Sequence, residues 1–211
     1  MRRNISRHAA AVVAALVAGG VAIAAPENLM DPAKLTAKAP ETFKAKFDTT
    51  KGPFVIEVTR AWSPNGADRF YNLVKSGYYD GVKFFRVVPN FVVQWGIHGD
   101  PAIAGTWLKS NIPDDPVKES NKRGYVTYAK SGAPNSRSVQ LFINLVNNER
   151  LDGMGFAPFG KVTQGMDVVD KLYAGYAEGL TQLQGRIASE GNAFLEKNYP
   201  QLDAIKKATI E

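Results

Sequence analysis

Cysteine is absent from all 211 residues of the chain, and histidine occurs only at His8 and His98. The lack of cysteine excludes disulfides, a thiol nucleophile, thiolate zinc sites and a lipid-modified N-terminal cysteine. Two histidines are too few for a multi-histidine metal centre. A serine triad needs only one histidine and stays open, although the G-x-S-x-G motif of many such hydrolases is missing. A hydrophobic core must therefore hold the fold together.

Nucleotide-binding motifs are missing too, since the chain has neither a P-loop nor G-x-G-x-x-G. The formal net charge is only +6, and residues 1–25 contain three of the arginines and no acidic residue, which leaves +3 for the rest. No basic stripe occurs, so we do not expect nucleic acid as a partner. Without a ligand cluster or a nucleotide motif, we also expect no metal and no cofactor.

The first 25 residues have the pattern of an export signal. Three arginines precede a charge-free run of 17 residues, Ala9 to Ala25. This run is shorter than the ~20 apolar residues of a membrane-spanning helix. The small residues Ala22-Ile23-Ala24 suit cleavage near Ala24 or Ala25. We predict that residues 1–25 are a signal peptide and that the mature protein is periplasmic or secreted, free of the membrane. An uncleaved membrane anchor is the alternative.

Residues 26–41 contain three prolines and little periodicity, which favours an extended, solvated linker. The remainder, residues 42–211, suits a single domain. It opens with two alternating apolar runs on either side of Lys51-Gly52, the pattern of a β-hairpin. A helix is predicted after Ser63, which suits the N-cap, and a second helix over "GMDVVDKLYAG", residues 165–175.

Short apolar runs indicate further strands at residues 82–88, 91–97, 124–130, 139–145 and 156–162, and "LDAIKKATI" near the C-terminus alternates like a closing strand. The polar run 118–123, "KESNKR", predicts a solvated loop. Residues 186–198 are a candidate for a third helix, inserted near the C-terminus. Many strands, few helices and no βαβ rhythm favour a mainly β fold, an antiparallel barrel with helices at its ends.

Three segments combine aromatic and aliphatic residues with scattered polar groups: 84–96, 124–144 and 150–162. None supplies a general base, a nucleophile or a metal cage. Together they would build an apolar pocket with one cation, Arg86, and some amide groups. Such a pocket suits a small apolar group flanked by peptide, with no covalent bond made or broken.

The same segments contain three motifs in a fixed order. "FFRVVPNFVVQWG" is similar to F-H-R-x-x-x-x-F-x-x-Q-G-G, "VQLFIN" to S-Q-F-F-I, and "LDGMGFAPFGKVTQGMDVVDKL" to L-D-G…FGKV…GMDVVDKI. These motifs belong to the cyclophilin-type peptidyl-prolyl cis-trans isomerases, which the chain resembles over residues 42–211. The resemblance implies a closed eight-stranded antiparallel β-barrel capped by two α-helices. It further implies proline-containing polypeptides as partners, bound in a groove on the outer face by a monomer.

The resemblance also implies roles for ten residues. Arg86 takes the position of the catalytic arginine, and Gln94 is implied as the second catalytic residue, which hydrogen-bonds the substrate backbone. The other eight would bind substrate: Phe91, Val92, Phe142 and Leu151 around the proline, Ala129 and Lys130 paired with the peptide like a strand, Gln140 as a further contact, and Phe156 where the family often has His or Tyr.

The chain departs from the family pattern at five positions. These are Phe85 for the His of F-H-R, Trp95 for the first glycine after Gln94, Val92 for Met, Leu141 for the first Phe of Q-F-F, and Arg150 for the Trp of cyclosporin-sensitive members. Trp95 is expected to add bulk near Gln94. These differences concern substrate preference and inhibitor binding more than activity.

Two functions of different classes follow. The first is a prolyl isomerase of the cell envelope that assists the folding of exported proteins. The second is a non-catalytic module of the same fold that holds proline-containing chains. Intact Arg86, Phe91, Gln94 and Phe142 favour the first. A barrel that carries a small apolar ligand inside is disfavoured, because large inward side chains are expected to fill it.

Overall fold

The computed structural model describes residues 27–211, so the predicted signal peptide lies outside the described residues. Within this range the strands are β1 (Thr42–Thr49), β2 (Gly52–Thr59), β3 (Arg86–Val88), β4 (Val92–Trp95), β5 (Tyr125–Tyr128), β6 (Leu141–Asn144), β7 (Pro158–Gln164) and β8 (Ile205–Ile210). The α-helices are α1 (Pro64–Lys75), α2 (Pro101–Trp107), α3 (Met166–Asp170) and α4 (Gln184–Asn198). Short 3₁₀ helices lie at Glu27–Met30, Pro32–Lys34, Arg60–Trp62, Glu149–Met154 and Thr181–Leu183.

All eight strands form one antiparallel sheet in the order β3-β4-β6-β5-β7-β2-β1-β8. The predicted hairpin is confirmed as β1 and β2, which pair from Thr42 opposite Thr59 to Thr49 opposite Gly52. The sheet curls into a half-barrel with β3 and β8 at its two ends. The chain just before β3 meets the chain just before β8 at an isolated bridge between Lys83 and Ala204.

Alternation along the strands separates a core face from an outer face. Val87, Val93, Ile143 and Val126 lie opposite one another on β3, β4, β6 and β5, and all four belong to the main buried cluster. The residues next to them in sequence therefore face away from the core. This alternation places the side chains of "FFRVVPNFVVQWG" on two different surfaces.

Trp95 lies on the core side of β4. It is fully buried, and its ring centroid is 5.6 Å from that of Phe84 and 6.2 Å from that of Phe47. The expectation that Trp95 crowds Gln94 is wrong, because consecutive strand residues face opposite sides of the sheet. The bulk that replaces the family's glycine fills the core instead of the groove.

Within the predicted linker, the described residues 27–41 contact the domain at several points, although many of their side chains stay exposed. Leu29 is buried, and its carbonyl oxygen accepts a hydrogen bond from Trp107 Nε1 at 2.7 Å. Ala37 exchanges two hydrogen bonds with the side-chain amide of Asn72, at 3.1 and 2.7 Å. Extended backbone has no hydrogen-bond partners of its own, and here the polar side chains of α1 provide them. The described part of this segment thus belongs to the domain.

Helix α1 begins after Ser63, as predicted, but its first turn is capped by a distant carboxylate. Ser63 Oγ donates to Asp115 Oδ2 at 2.6 Å and accepts nothing from the helix backbone. Asp115 instead accepts the N–H groups of Asn65 at 3.2 Å and Gly66 at 3.0 Å. An anionic group at this position also suits the positive end of the helix dipole.

The helices differ from the prediction in number and length. Helix α2, which the sequence analysis missed, begins at the N-cap Asp100, whose Oδ1 accepts from Ala102 N at 2.8 Å. The second predicted helix is only the five residues of α3, and residues 184–198 form α4. No helix within residues 27–211 is both long and apolar enough to cross a bilayer.

The C-terminal segment, which we define as residues 174–202, has a buried cluster of its own. The segment packs against Phe85, against α2 and against the residues that directly follow β4. The cluster consists of Phe85, Ile97, Ala104, Leu180, Ile187, Phe194, Leu195 and Leu202. Apolar contacts therefore attach the segment to the half-barrel, and one of the residues that make them, Phe85, directly precedes Arg86.

Candidate active site

One groove of about 470 Å³ on the outer face of the sheet brings all ten predicted site residues together. Its lining comprises Arg86, Phe91, Val92, Gln94, Leu108, Ala129, Lys130, Ser131, Ser136, Ser138, Gln140, Phe142, Leu151, Phe156 and Gln184. The ten come from three segments far apart in sequence. The antiparallel pairing of β3, β4, β5 and β6 brings the first two segments together, and the chain between β6 and β7 adds Leu151 and Phe156.

The floor of the groove is a cross-strand row. Arg86 on β3 lies opposite Gln94 on β4, and Gln94 lies opposite Phe142 on β6. Directly opposed residues in neighbouring strands place their side chains side by side on the same face. A cation, an amide and a phenyl ring are thereby aligned across three strands.

Arg86 is held by hydrogen bonds on two sides. Its Nη1 donates to Gln94 Oε1 at 2.8 Å, while Nε and Nη2 donate to the two carboxylate oxygens of Glu178 at 2.8 and 2.7 Å. A guanidinium has five N–H groups and no acceptor, so two N–H groups remain for another partner. The hydrogen bonds from Arg86 lower the pKa of Glu178 below its ordinary value, against the effect of burial.

Gln94 links the arginine to the next side chain. Because the guanidinium can only donate, the Gln94 oxygen must face it, and Gln94 Nε2 then donates to Gln140 Oε1 at 2.9 Å. Gln94 is 6% exposed and its amide is largely engaged. Gln140, which is more exposed, is therefore better placed than Gln94 to offer an amide N–H to a ligand in the groove.

The predicted proline pocket is an apolar cluster separate from the main core. Val92, Phe142 and Leu151 are its buried members, with Phe91, Ala129 and Phe156 packed around them. The rings of Phe142 and Phe156 meet edge to face at 5.8 Å between centroids. Such a concave apolar surface removes water from a ligand ring that enters it.

Two arginines lie over the ring of Phe91. The guanidinium carbon of Arg86 is 5.4 Å from the ring centroid, and that of Arg150 is 5.0 Å away. Both distances are within the range of cation–π contacts. Arg150, at the position of the family's tryptophan, thus covers Phe91 with a charged group where an indole would offer a flat apolar one.

A buried asparagine network supports the pocket from below. Asn148 Nδ2 donates to the carbonyl oxygen of Phe91 at 3.1 Å and to Asn144 Oδ1 at 2.8 Å. Asn121 Nδ2 donates to the carbonyl oxygen of Phe156 at 2.8 Å. Asn121 is fully buried, so the prediction of a solvated loop over residues 118–123 is wrong at this residue. The amides tie together backbone segments that carry pocket side chains.

The edge predicted to pair with peptide is partly occupied. The N–H of Ala129 donates to the carbonyl oxygen of Gln140 at 2.9 Å. Among residues 27–211 the N–H of Lys130 has no such acceptor, so it is the donor left for an incoming strand. The Lys130 ammonium lies 5.8 Å from the centroid of the Phe156 ring, at the rim of the pocket.

The sequence analysis missed several residues of the site. Glu178 and Gln184 come from the C-terminal segment, and Leu108 follows α2. The only local sign of their presence was Phe85, an apolar residue where the family pattern has histidine. No group of three or more metal-ligating side chains occurs within the described residues.

Comparison with known proteins gives consistent results. The family model for cyclophilin-type peptidyl-prolyl cis-trans isomerases matches residues 44–190. A peptidyl-prolyl cis-trans isomerase of Acinetobacter baylyi is 34% identical over 148 residues, covering 65% of this chain and 76% of the relative. Peptidyl-prolyl cis-trans isomerase B of Escherichia coli is 31% identical over 157 residues, covering 68% of this chain and 92% of the relative.

Solved structures share the fold. A cyclophilin-type peptidyl-prolyl cis-trans isomerase of Cryptosporidium parvum superposes with a TM-score of 0.58 at 21% identity, covering 81% of this chain and 98% of that one. A second structure of that protein, obtained in the presence of the dipeptide Ala-Pro, gives 0.57. Because the family model spans most of the domain and the family's motifs meet in one groove, the chain belongs to the cyclophilin-type family and is a peptidyl-prolyl cis-trans isomerase.

Proposed function

We propose that the groove described above is where this isomerase acts, with Arg86 as the catalytic residue. The observation that carries the proposal is the position of the guanidinium, fixed beside an apolar pocket with two N–H groups still to donate. The pocket binds the proline ring, and Arg86 donates a hydrogen bond to the nitrogen of the bond that rotates.

Rotation about an X–Pro bond needs neither a nucleophile nor a base. The barrier of about 18–20 kcal/mol comes from amide resonance. Twisting the bond localises the lone pair on the prolyl nitrogen, which then accepts a hydrogen bond that the planar amide cannot. A donor from Arg86 at that point stabilises the twisted state more than either planar state, which is catalysis by differential binding.

The other groove residues orient the peptide around this bond. Lys130 N–H and the Gln140 amide are free to bond substrate backbone, as a strand would at a sheet edge. Val92, Phe142 and Leu151 exclude water from the ring, and this lower polarity strengthens each hydrogen bond to the twisted amide. Gln94 acts chiefly on Arg86, whose Nη1 it engages.

We further propose that the protein works outside the cytoplasm as a monomer that assists the folding of exported proteins. Export is supported by the N-terminal pattern of arginines, apolar run and small residues. The monomer is supported by the surface of residues 27–211, where Met30 and Met154 are the large apolar side chains that stay exposed. Two exposed methionines provide too little apolar area for a stable interface between subunits.

Closure of the half-barrel into a barrel is also part of the proposal. Three backbone hydrogen bonds span the gap between the sheet ends, from Gly81 to Ile205, from Ile205 to Val82 and from Phe84 to Asp203, at 2.8 to 3.0 Å. They continue the antiparallel pattern across the bridge between Lys83 and Ala204.

Refolding of an exported protein limited by proline isomerisation tests the folding role. Without enzyme the slow phase lasts roughly 10–100 s at 25 °C. Substoichiometric wild-type protein should shorten it in proportion to the enzyme concentration, and Arg86→Ala should not. If both proteins suppressed aggregation equally and neither shortened the slow phase, the non-catalytic binding module would be the correct reading.

Cell fractionation with N-terminal sequencing tests export. We expect the protein in the soluble envelope fraction or the medium, with Ala25 or Pro26 as its first residue, because cleavage follows the small residues before them. A matched chain with Ala22, Ala24 and Ala25 all replaced by Leu should keep its N-terminus and sediment with membranes. An uncleaved wild-type chain in the membrane pellet would instead identify the segment as an anchor.

A further inference from the structure

The carboxylate of Glu178 occupies one complete edge of the Arg86 guanidinium. Nε and Nη2 lie on the same edge, and each donates to a different oxygen of Glu178, at 2.8 and 2.7 Å. This is the bidentate geometry in which a carboxylate fixes both the position and the plane of an arginine. Glu178 lies 92 residues after Arg86 in the sequence and outside the motifs that carry the family resemblance.

We propose that Glu178 is a positioning residue that holds the Arg86 guanidinium in its catalytic orientation. This inference rests on the catalytic role proposed for Arg86 and adds the C-terminal segment to the machinery of the reaction.

The local structure holds Glu178 firmly in place. Thr181 Oγ1 donates to Glu178 Oε2 at 2.7 Å, so a second hydrogen bond orients the carboxylate. Leu180 is fully buried in the cluster of the C-terminal segment. Ala177 has a φ of 40°, in the left-handed region that costs energy for any residue with a side chain. Surroundings must hold such a conformation in place, and strain of this kind concentrates at functional sites.

The half-barrel also has an apolar surface against which the segment that contains Glu178 packs. Phe85 immediately precedes Arg86 and shares a buried cluster with Leu180 and Ile187. Phe85 lies just before β3 and packs on the apolar side chains of the segment, while the next residue, Arg86, meets the carboxylate of the same segment at the groove. The apolar residue that stands where the family pattern has histidine thus packs on the segment that supplies Glu178.

The two partners of Arg86 restrict it in complementary ways. Gln94 provides one hydrogen bond, about which the guanidinium could still rotate. Glu178 adds two more, and three hydrogen bonds from two directions define a plane. The two unused N–H groups then point in fixed directions. A donor already aimed at the twisted amide reorganises little during the reaction, which is the condition for efficient electrostatic catalysis.

A purely structural role is disfavoured by exposure. The Glu178 side chain is 52% exposed and that of Arg86 is 17% exposed. Ion pairs open to solvent contribute little to global stability. Loss of this pair should therefore change the melting temperature little, and its effect should fall on the orientation of Arg86.

Steady-state kinetics on an X–Pro peptide test the inference through Glu178→Gln. The amide keeps the shape but accepts only one N–H and turns its own donors towards the other. We expect kcat to fall about three- to tenfold with KM changed less than twofold, the pattern of an interaction that acts in the transition state. The matched control is Glu190→Gln, which breaks the exposed pair with Arg186 on α4 and should leave kcat unchanged.

The same substitution in an Arg86→Ala background shows whether Glu178 acts through Arg86. The double variant should isomerise at the rate of Arg86→Ala alone, because nothing remains for Glu178 to orient. Unchanged or raised kcat in Glu178→Gln, with Arg86→Ala impaired, would overturn the inference and leave the role of Arg86 intact. An equal further loss in the Arg86→Ala background would also overturn it. Full activity of Arg86→Ala would refute the proposed function itself.

Discussion

Arg86→Ala should lower kcat/KM for an X–Pro peptide by about 10²–10³, the scale for loss of one preorganised donor to a reacting group. The side chain provides the only guanidinium that is both in the groove and hydrogen-bonded to Gln94 among the described residues. Without it, the twisted amide loses a charged donor in a site that the pocket keeps partly dry. Protease-coupled isomerisation or NMR exchange on the same peptide measures the effect.

Peptide binding should change much less than the rate in this variant. The apolar contacts of Val92, Phe142 and Leu151 do not involve the guanidinium, so the proline ring keeps its pocket. The melting temperature should also stay near wild type, because Glu178 is exposed enough to be solvated when its partner is removed. Arg86→Lys should recover only part of the rate, since lysine keeps the charge but cannot reproduce a planar fork of donors.

A folded Arg86→Ala variant that isomerises the peptide at nearly the wild-type rate would contradict the mechanism. Activity would then come from another donor or from exclusion of water alone. Normal peptide affinity with no measurable turnover in the wild-type protein would favour the binding module instead. Rate, affinity and thermal stability, measured on the same preparation, separate these outcomes.

The sequence predicted the groove better than the elements around it. Eight of the ten predicted site residues belong to motifs whose order is shared with the family, and antiparallel pairing of β4 with β3 and β6 aligns Arg86, Gln94 and Phe142 wherever the register is kept. The hairpin β1–β2 could be predicted equally well from the sequence, because alternation of apolar and polar residues with period two is a local property. The same alternation places Trp95 on the core side of β4, opposite to Gln94.

The missed features depend on contacts between residues that are distant in sequence. Glu178 sits in a polar turn with no motif, and nothing local shows that its carboxylate reaches Arg86. Asn121 lies in a hydrophilic run that suggests solvent, yet its amide is buried beneath the pocket by partners on other strands. Residues 26–41 looked solvated for the same reason, since their hydrogen-bond partners lie on α1 and α2.

The largest effect on stability is expected at Asp115. Its side chain and that of Arg137 are 3% and 2% exposed, and Arg137 Nη2 donates to Asp115 Oδ2 at 2.9 Å. The carboxylate also accepts from Ser63, Asn65 and Gly66 at the start of α1. Arg137 precedes Ser138 of the groove, so the pair joins the first turn of α1 to the groove wall.

Asp115→Asn should lower the free energy of unfolding by about 3 kcal/mol, the low end of the cost of breaking a buried ion pair, because Asp114 remains 3.4 Å from Arg137 Nε. In either orientation the amide NH2 would face at least one backbone N–H, of Asn65 or of Gly66, and Arg137 has too little access to water to be solvated. Urea denaturation measures the change. If this variant does not fold, Ser63→Ala removes one of the hydrogen bonds and should cost about 1 kcal/mol.

The pH dependence of this difference gives a second test. Burial alone would raise the pKa of Asp115, but hydrogen bonds from Ser63, Gly66 and Arg137 outweigh it and hold the pKa below the ordinary 3.8. Because the pKa of Asp115 is lower in the folded protein than in the unfolded chain, ionised Asp115 stabilises the fold fully above the unfolded pKa of about 3.9. This stabilisation is lost as the pH falls through the pKa of the folded protein. The gap in stability between wild type and Asp115→Asn should therefore stay constant from neutral pH down to about 5 and shrink below about 4.

Asp167→Asn breaks an exposed pair with Lys171 and should show no such gap at any pH. A gap that widened in acid would mean that the buried carboxylate is protonated in the folded protein, and that Arg137 is stabilised by other groups.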